Sequence, residues 1–470
     1  MAVPYTFGTA TQPLPLSELD DNFAYCTTLV DQFAVNVNVS AYATSGSGTT
    51  GSPWTGWDTA ITWTEGVAYN FPPGVYSYTS APSGWNQDNM ILKGTPDTVL
   101  RCTGAGPVMY FDAGTSGTVG KTNLDIGPFI LEGNGTTTQK GLWLRSVNRS
   151  KFDRIRVRGV TQYGIHQNFG VLNEFYMPVI SGNMDSGYYM PSVHMSIDAV
   201  QASGYGAYFS AATNIYSPIL ENNSTGIGLQ LIHKASGTQV FGGTSEGMST
   251  GLEIGNDATG DKCERNSFFN FDLEANTTYD NYVKAAFNTN YYNCCFFSNV
   301  TNNNYIASGA TFTKFIGGQT IGYIYDAGQG TQFDDHSFTA SNYTFALGVD
   351  TQWNRCRDFA LNKTWNFNPP VIQYTSSVTG TITVATGVEV LILDGALAGT
   401  LTVALPAYVD LAGGGALNPQ IFKVCCTGAI TTITFTDPKG RTVPANVSAT
   451  AGSSFTYYYG QAGFKWIRIG

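Results

Sequence analysis

The chain has 470 residues, enough for two or three domains and a large core, with 13% aromatic residues, 54 glycines and only 12% charged residues, a mixture that favours strands and tight turns over amphipathic helices. A net charge of −10, with Lys and Arg scattered rather than clustered, excludes nucleic acid and anionic membrane as natural partners. No stretch is long and apolar enough to span a bilayer, and the opening MAVPYTFG lacks a basic segment before an apolar run, so a soluble product made in a cytoplasm is expected, without membrane insertion.

Residues 1–40 follow no repeat. Ser17-Glu-Leu-Asp20 reads as a helix N-cap with an acid at the third position, followed by Leu19, Phe23, Cys26, Val30 and Phe33 at spacings of four, three, four and three. A helix this short is marginal alone, and its narrow apolar stripe calls for cover by sister chains, a docking surface or the chain's own body. The Gly/Ser/Thr run at 44–52 predicts a flexible joint or a tightly wound turn region. Trp54, Trp57 and Ile61 suit a short capping helix, so 41–65 is expected to be linker and cap.

Residues 66–330 repeat. Laps of 20 to 28 residues begin on buried-type residues at Phe152, Phe175, Met195, Ile215, Val240, Phe268, Cys295 and Phe315. About twelve residues into most laps stands a glycine with a short apolar strand: Gly164-Ile165, Gly187-Tyr188, Gly206-Ala207, Gly226-Ile227, Gly251-Leu252, Gly322-Tyr323. Two short strands per lap, with no helical pattern between them, predict a solenoid whose laps stack through a parallel ladder and share an axial core. The fold class is therefore all-β, a parallel β-helix, with Asn and Thr suited to its corners. The eight cysteines include the adjacent pairs Cys294-Cys295 and Cys425-Cys426, and Cys295 stands at an apolar lap start; they read as small buried hydrophobes. No Cys/His cluster has zinc spacing, so neither a metal nor a cofactor is expected.

The pattern fades after Ile324. A connection at 331–370 ends in Pro369-Pro370, a boundary because proline cannot serve a central ladder. Short alternating strands follow, among them Gly380-Thr-Ile-Thr-Val-Ala385, Val388-Glu-Val-Leu-Ile-Leu393, Thr431-Thr-Ile-Thr-Phe435 and Ser454-Phe-Thr-Tyr-Tyr-Tyr459, and they predict an antiparallel β-sandwich over 371–470.

Phe71-Pro-Pro-Gly-Val-Tyr76, Ile91-Leu-Lys-Gly94, Thr98-Val-Leu100 and Phe129-Ile-Leu-Glu-Gly-Asn-Gly135 resemble the opening laps of the pectate-lyase-like superfamily, including bacteriophage tailspikes. Pro4-Tyr-Thr-Phe-Gly8 and Leu14-Pro-Leu-Ser-Glu-Leu-Asp-Asp-Asn-Phe23 resemble the virion-attachment leader of phage tail fibres, and the C-terminal strands down to Phe464-Lys-Trp-Ile-Arg-Ile469 resemble small terminal domains of such fibres. The resemblance implies a right-handed coil, a homotrimer, attachment to phage tail or baseplate proteins through Leu19, Phe23, Val30 and Phe33, a host cell-surface glycan as ligand, and a place in the virion tail. It also implies a trimerisation or receptor-contact role for the terminal domain.

Chemistry is sought by numbering each lap from its start. The residue five places on is mostly apolar and faces the axis; its neighbour six places on faces outwards because strand side chains alternate. That outward column reads Arg158, Ser181, Gln201, Glu221, Glu246, Glu274, Thr301, Ile321. Three glutamates on consecutive laps, about 4.8 Å apart at strand spacing, raise one another's pKa. Adjacent carboxylates at roughly 5 Å suit a retaining glycosidase, and a pair two laps apart suits an inverting one, one acid protonating the leaving oxygen while the other attacks the sugar or activates water. Two further readings stay open: glutamates that solvate a strand face, or that line a trimer seam beside Lys, Arg or calcium. Asp272 is a secondary candidate for general base and also reads as a corner residue; Glu132 reads as a turn partner and Glu253 as an exposed strand position. Tyr279, Tyr282 and Tyr208 belong to an aromatic surplus suited to stacking on sugar faces. Gly-x-Ser-x-Gly is absent, which disfavours a serine esterase, and no basic-acidic grouping of the kind used by uronate lyases stands beside the glutamates.

Overall fold

The computed structural model describes residues 36–112, 120–199, 211–255, 262–298 and 303–338, then 342–345, 351–358, 363–367 and short stretches between 372 and 468. The leader residues Leu19, Phe23, Val30 and Phe33, together with Tyr208, lie outside them.

Among the described residues up to 367, 35 strands join in one hydrogen-bonded set, and every pairing is parallel except the last, Gln352–Asp358 with Lys363–Phe367. The molecule is a right-handed parallel β-helix. Three ladders run along it. Ladder I is made of three-residue strands such as Lys151–Asp153, Glu174–Tyr176, Asn214–Tyr216 and Gln239–Phe241, each in register with the next. Ladder II includes Ile155–Arg158, Val179–Ser181 and Asp272–Glu274, and ladder III includes Tyr163–Val171, Val193–Asp198 and Tyr279–Phe287.

The middle residue of each ladder I strand points to the axis. Phe152, Phe175, Ile215, Val240, Phe268, Tyr291, Phe315 and Phe333 are each at most 1% exposed. Their rings stack where they are aromatic, as for Phe268 on Tyr291 at 5.1 Å and Tyr291 on Phe315 at 4.8 Å. Burying one such ring contributes about 1.5–3 kcal/mol relative to exposure, so the core grows lap by lap. Two expected lap starts are corrected. Met195 belongs to ladder III, paired with Ile165 and Leu229, and Cys295 belongs to ladder II, paired with Asp272; the lap start there is Tyr291. The step from Phe175 to Ile215 is thus a single lap of 40 residues, twice the expected length, and part of the excess is the segment 182–192 between ladders II and III.

A fixed device closes the corners of ladder I. The residues three before and two after each axial residue hold left-handed backbone, with φ between +46° and +65° from Arg149 and Arg154 through to Phe312 and Gly317. Between the first of these and the strand sits a buried Ser, Asn or Thr: Ser150, Asn173, Thr213, Thr238, Asn266, Thr289 and Thr313, each at most 2% exposed. The asparagines replace missing ladder bonds across laps: Ser150 N donates to Asn173 Oδ1 at 3.1 Å, and Asn173 Nδ2 donates to Val147 O at 2.7 Å. Asn recurs in the left-handed corners because it tolerates that backbone, and Asn, Ser and Thr recur in the buried position beside them because a short polar side chain reaches buried backbone groups there.

The ladders begin at Asn36–Asn38, paired with Ala68–Asn70, and reach Asp358, beyond both expected limits at 66 and 330. The 44–52 run is wound rather than open, with bridges Ser45 to Thr55 and Thr49 to Ser52, and Trp54 continues the first ladder II strand by bridging Tyr76. Gly48 sits at φ +76° against Trp54, where a Cβ would lie 2.6 Å from the ring. Trp57, fully buried at the start of the one-turn helix Trp57–Ala60, caps the coil with edge contacts to Phe71, Tyr76 and Tyr78.

The C-terminal part has two sheets and one apolar cluster drawn from both, including Leu391, Val403, Val424, Ile433 and Phe455. The antiparallel pairing expected there holds for Gln420–Cys426 with Ser454–Gly460, for Ser454–Gly460 with Lys465–Arg468, and for Ile430–Thr436 with Val447–Ala449. The earlier strands pair in parallel, as Ile372–Ser376 does with Val390–Asp394 and Gly380–Thr383 with Leu397–Ala404. Apolar alternation has the same period in both arrangements, so the sequence pattern could not separate them.

Candidate functional site

Ladder II carries the outward column on which the sequence reading rests. From the N-terminal end it runs Arg101, Glu132, Arg158, Ser181, Glu221, Glu246, Glu274, with register pairs Arg101 to Glu132, Arg158 to Glu132, Ser181 to Glu221, Glu221 to Glu246 and Glu246 to Glu274. The three glutamates therefore occupy equivalent positions on consecutive laps, one strand spacing or about 4.8 Å apart along the backbone. The offset of six holds because no insertion separates ladder I from ladder II. Gln201 and Thr301 lie outside the described residues, and Phe297 follows Glu274 by continuation of the Leu273 to Phe296 register.

The first half of the column is a charge-paired network. Glu132, only 4% exposed, accepts from Arg101 Nε and from Arg158 Nε and Nη2, the latter two at 2.9 and 2.6 Å. Arg158 also reaches Asp185 at 3.1 Å, and Asp185 takes Arg156 Nε at 2.8 Å. Glu132 is thus the anionic centre of an ion-pair cluster rather than a turn residue. The segment that carries Asp185 folds back over the earlier laps: Gly159 N donates to Tyr189 O at 2.9 Å, and Tyr188 lies under the Arg158 guanidinium at 4.2 Å.

The second half has no such alternation. Ser181 Oγ donates to Glu221 Oε2 at 3.0 Å, and no ion pair involves Glu221, Glu246 or Glu274 among the described residues. Glu246, in the middle, is pushed above the ordinary carboxylate range by partial burial first and then by the charges of Glu274, Glu221 and Asp272. Asp272 stands two residues before Glu274 on the same outward face, and its Oδ1 is buried without a hydrogen-bond partner. Its pKa is also raised, by burial and then by Glu274. Cys295, one lap on from Asp272, is outward and half-buried instead of axial. Among the described residues no three His, Cys, Asp or Glu side chains are placed to hold a metal ion. The arrangement provides a carboxyl that keeps its proton more readily than usual, with ionisable carboxylates one lap away on either side.

Tyr279 and Tyr282 meet, ring centroids 4.6 Å apart, but on ladder III and so around the corner from the glutamates. Tyr282 belongs to a second outward column that lap counting does not reveal, with Tyr279 beside it: Tyr110, Trp143, His166, Ser196, Gln230, Glu253, Tyr282, Tyr305 and Tyr325 in register. Trp143 stacks on Tyr110 at 4.6 Å and carries Lys140 Nζ 3.6 Å from its ring centroid. Burial lowers the Lys140 pKa to about 8. Asp198 accepts from Asn168 Nδ2 at 3.1 Å and pairs with His233 Nδ1 at 2.9 Å and His166 Nε2 at 3.4 Å. Glu253 accepts from Gln230 at 3.0 Å and pairs with Lys284 at 3.2 Å, so it is not the plain exposed strand position expected. The offset from ladder II to ladder III varies from lap to lap, which hid this column. Its signal was the glycine two residues earlier: Gly141, Gly164, Gly228 and Gly251 stand where a Cβ would lie 1.9 to 2.8 Å from the ladder II axial side chains Val157, Ile180, Ser245 and Leu273.

No protein-family model matches the chain, and no curated protein matches it in sequence. Solved structures similar to it include the following three. The mannuronan C-5 epimerase AlgE4 A-module of Azotobacter vinelandii is 12% identical at a TM-score of 0.38, covering 68% of this chain and 97% of its own. The ORF18 protein of Geobacillus virus E2 is 14% identical at 0.39, covering 74% and 64% respectively. An N-terminal fragment of bacteriophage Phi29 gene product 12 is 12% identical at 0.43, covering 83% and 82%.

Proposed function

We propose that the chain is a bacteriophage tailspike, a homotrimer carried on the virion tail and made in the host cytoplasm, whose coil binds a host-surface polysaccharide and hydrolyses it at the glutamate column. The observation that carries this reading is Glu246 held between Glu221 and Glu274 in strand register, with its pKa raised. In this reading Glu246 protonates the glycosidic oxygen as the leaving sugar departs. Glu221, oriented by the Ser181 hydroxyl one lap away, attacks the anomeric carbon, and water then releases the sugar and restores both carboxyls. A carboxyl pair at lap spacing of about 5 Å leads to retention of anomeric configuration.

The test is purified host polysaccharide incubated with the intact protein and with Glu246→Gln, Glu221→Gln and Glu274→Gln. The expected result is new reducing ends with the intact protein, a loss of roughly 100-fold or more in Glu246→Gln and Glu221→Gln, and retained glycan binding in both. Unchanged cleavage in Glu246→Gln contradicts the assignment. A second reading, binding without turnover, is favoured by one observation: Tyr279 and Tyr282 lie on ladder III and not beside the carboxyls. It predicts no cleavage by the intact protein and loss of glycan binding in Tyr282→Ala.

A further inference from the structure

The outer face of ladder I carries an aromatic row that neither column above uses. Tyr176, Tyr216, Phe241, Phe269 and Tyr292 stand one residue after the axial residue on five consecutive laps, in register and partly exposed. Their centroids step by 4.7, 5.1, 5.0 and 4.7 Å with interplanar angles of 11°, 12°, 6° and 5°. Rings stacked this way spend their faces on one another and turn only edges outward. A sugar stacks on ring faces, so this row is not a glycan platform. Tyr279, Tyr282 and Tyr305 show the contrast, tilted at 32° to 79° to one another.

The neighbours of the row are also unlike the rest of this acidic chain. From the Ile215 lap to the Tyr291 lap, the residue before the axial position is Asn214, Gln239, Ser267 or Asn290, and the corner residue after the ring is Ser217, Gly242, Asn270 or Asn293. Charges stand at the margins: Glu174 beside Tyr176, Arg265 at the corner before the Phe268 strand, Lys151, Asp153 and Arg154 on the Phe152 lap, and Asp334 and Asp335 on the Phe333 lap. An aromatic centre depleted of charge within a charged rim is the anatomy of a protein interface. A second observation agrees: Met177, beside Tyr176, is a bulky apolar residue in a left-handed corner at φ +47° and is 47% exposed. Asn or Gly would serve that corner better, and burial by a partner is what Met gains there.

We infer that this face of ladder I is where copies of the chain meet, with the row from Tyr176 to Tyr292 at the centre of the contact. The occupant follows from the pitch. A surface that repeats the same ring at every strand step over five laps is matched along its length by a partner with that same step, and a second copy has it by construction. The inference does not rest on hydrolysis at the glutamates; it deepens the trimer part of the proposal by naming the face.

The test is sedimentation of the full chain at micromolar concentration, intact and with Phe241→Lys plus Phe269→Lys, both partly exposed positions, with circular dichroism as the check on folding. The expected result is an oligomer for the intact chain and association weaker by roughly 30-fold or more for the double variant. A photo-crosslinking residue at position 241 reads the same contact without a disruptive charge, and joins two copies of this chain. A monomeric intact chain overturns both this inference and the trimer. An oligomer that survives the double variant, or a crosslink from position 241 only to residues 1–35 of the same chain, overturns this inference and leaves the trimer standing on another contact.

Discussion

The two halves of the ladder II column share one backbone geometry and opposite electrostatics. In the first half charges alternate, Arg101, Glu132, Arg158, with Asp185 closing the network, and each buried charge has partners within hydrogen-bond reach. In the second half Glu221, Glu246 and Glu274 succeed one another, and among the described residues their one side-chain hydrogen-bond partner is the Ser181 hydroxyl on Glu221. The first half is what a strand ladder does with charge when stability alone is served. The second half raises a carboxyl pKa at a cost in stability, which is what the proposed hydrolysis would ask of it.

The comparison breaks most visibly on identical substitutions in the two halves. Glu132→Gln removes the anion between Arg101 and Arg158, leaving Asp185 as the one carboxylate of the cluster, and is expected to cost about 3–5 kcal/mol in urea unfolding at neutral pH. A loss under about 1 kcal/mol would remove the structural reading of that cluster. The next effect lies behind the second half. Asp280 is buried on ladder III just past the corner that follows Glu274, where it accepts from Asn276 Nδ2 at 2.7 Å and Ser298 N at 2.9 Å. Burial raises its pKa to about 6 from 3.8, so its stabilising contribution is complete below pH 4 and is lost as pH rises through 6. The stability of the intact chain relative to Asp280→Asn should therefore fall by on the order of 3 kcal/mol between pH 4 and pH 7. A difference that grows with pH contradicts the burial account. Smallest is Glu246→Gln, which relieves like-charge repulsion on a mostly solvated face and should gain a few tenths of a kcal/mol at neutral pH, opposite in sign to Glu132→Gln.

The part of the lap legible in the sequence is the part with fixed spacing. From the left-handed corner three residues before the axial residue to the outward residue six after it, ladder I and ladder II form one block without insertions, so the offsets that placed Glu221, Glu246 and Glu274 together hold in the structure. Elsewhere segments are inserted between ladders, as at 182–192, and counting from lap starts then fails. Lap counting therefore places Met195 and Cys295 on the axis of ladder I, where the structure does not, and gives no sign of the column through Trp143, His166 and Tyr282. The role of Glu132 is not legible locally because its partners Arg101 and Arg158 come from neighbouring laps, and Asp185, which shares Arg158, lies far along the chain, while Gly133 beside it suggests turn chemistry.

The central claim is that coil register makes one carboxyl feel its neighbours a lap away. Carbon-13 NMR titration of the Glu246 side-chain carboxyl, in the intact chain and in Glu274→Gln, tests it without any knowledge of the substrate. The account predicts a Glu246 pKa above the ordinary carboxylate range that moves back towards it when Glu274 is neutralised. An ordinary value, unmoved by that substitution, would contradict it.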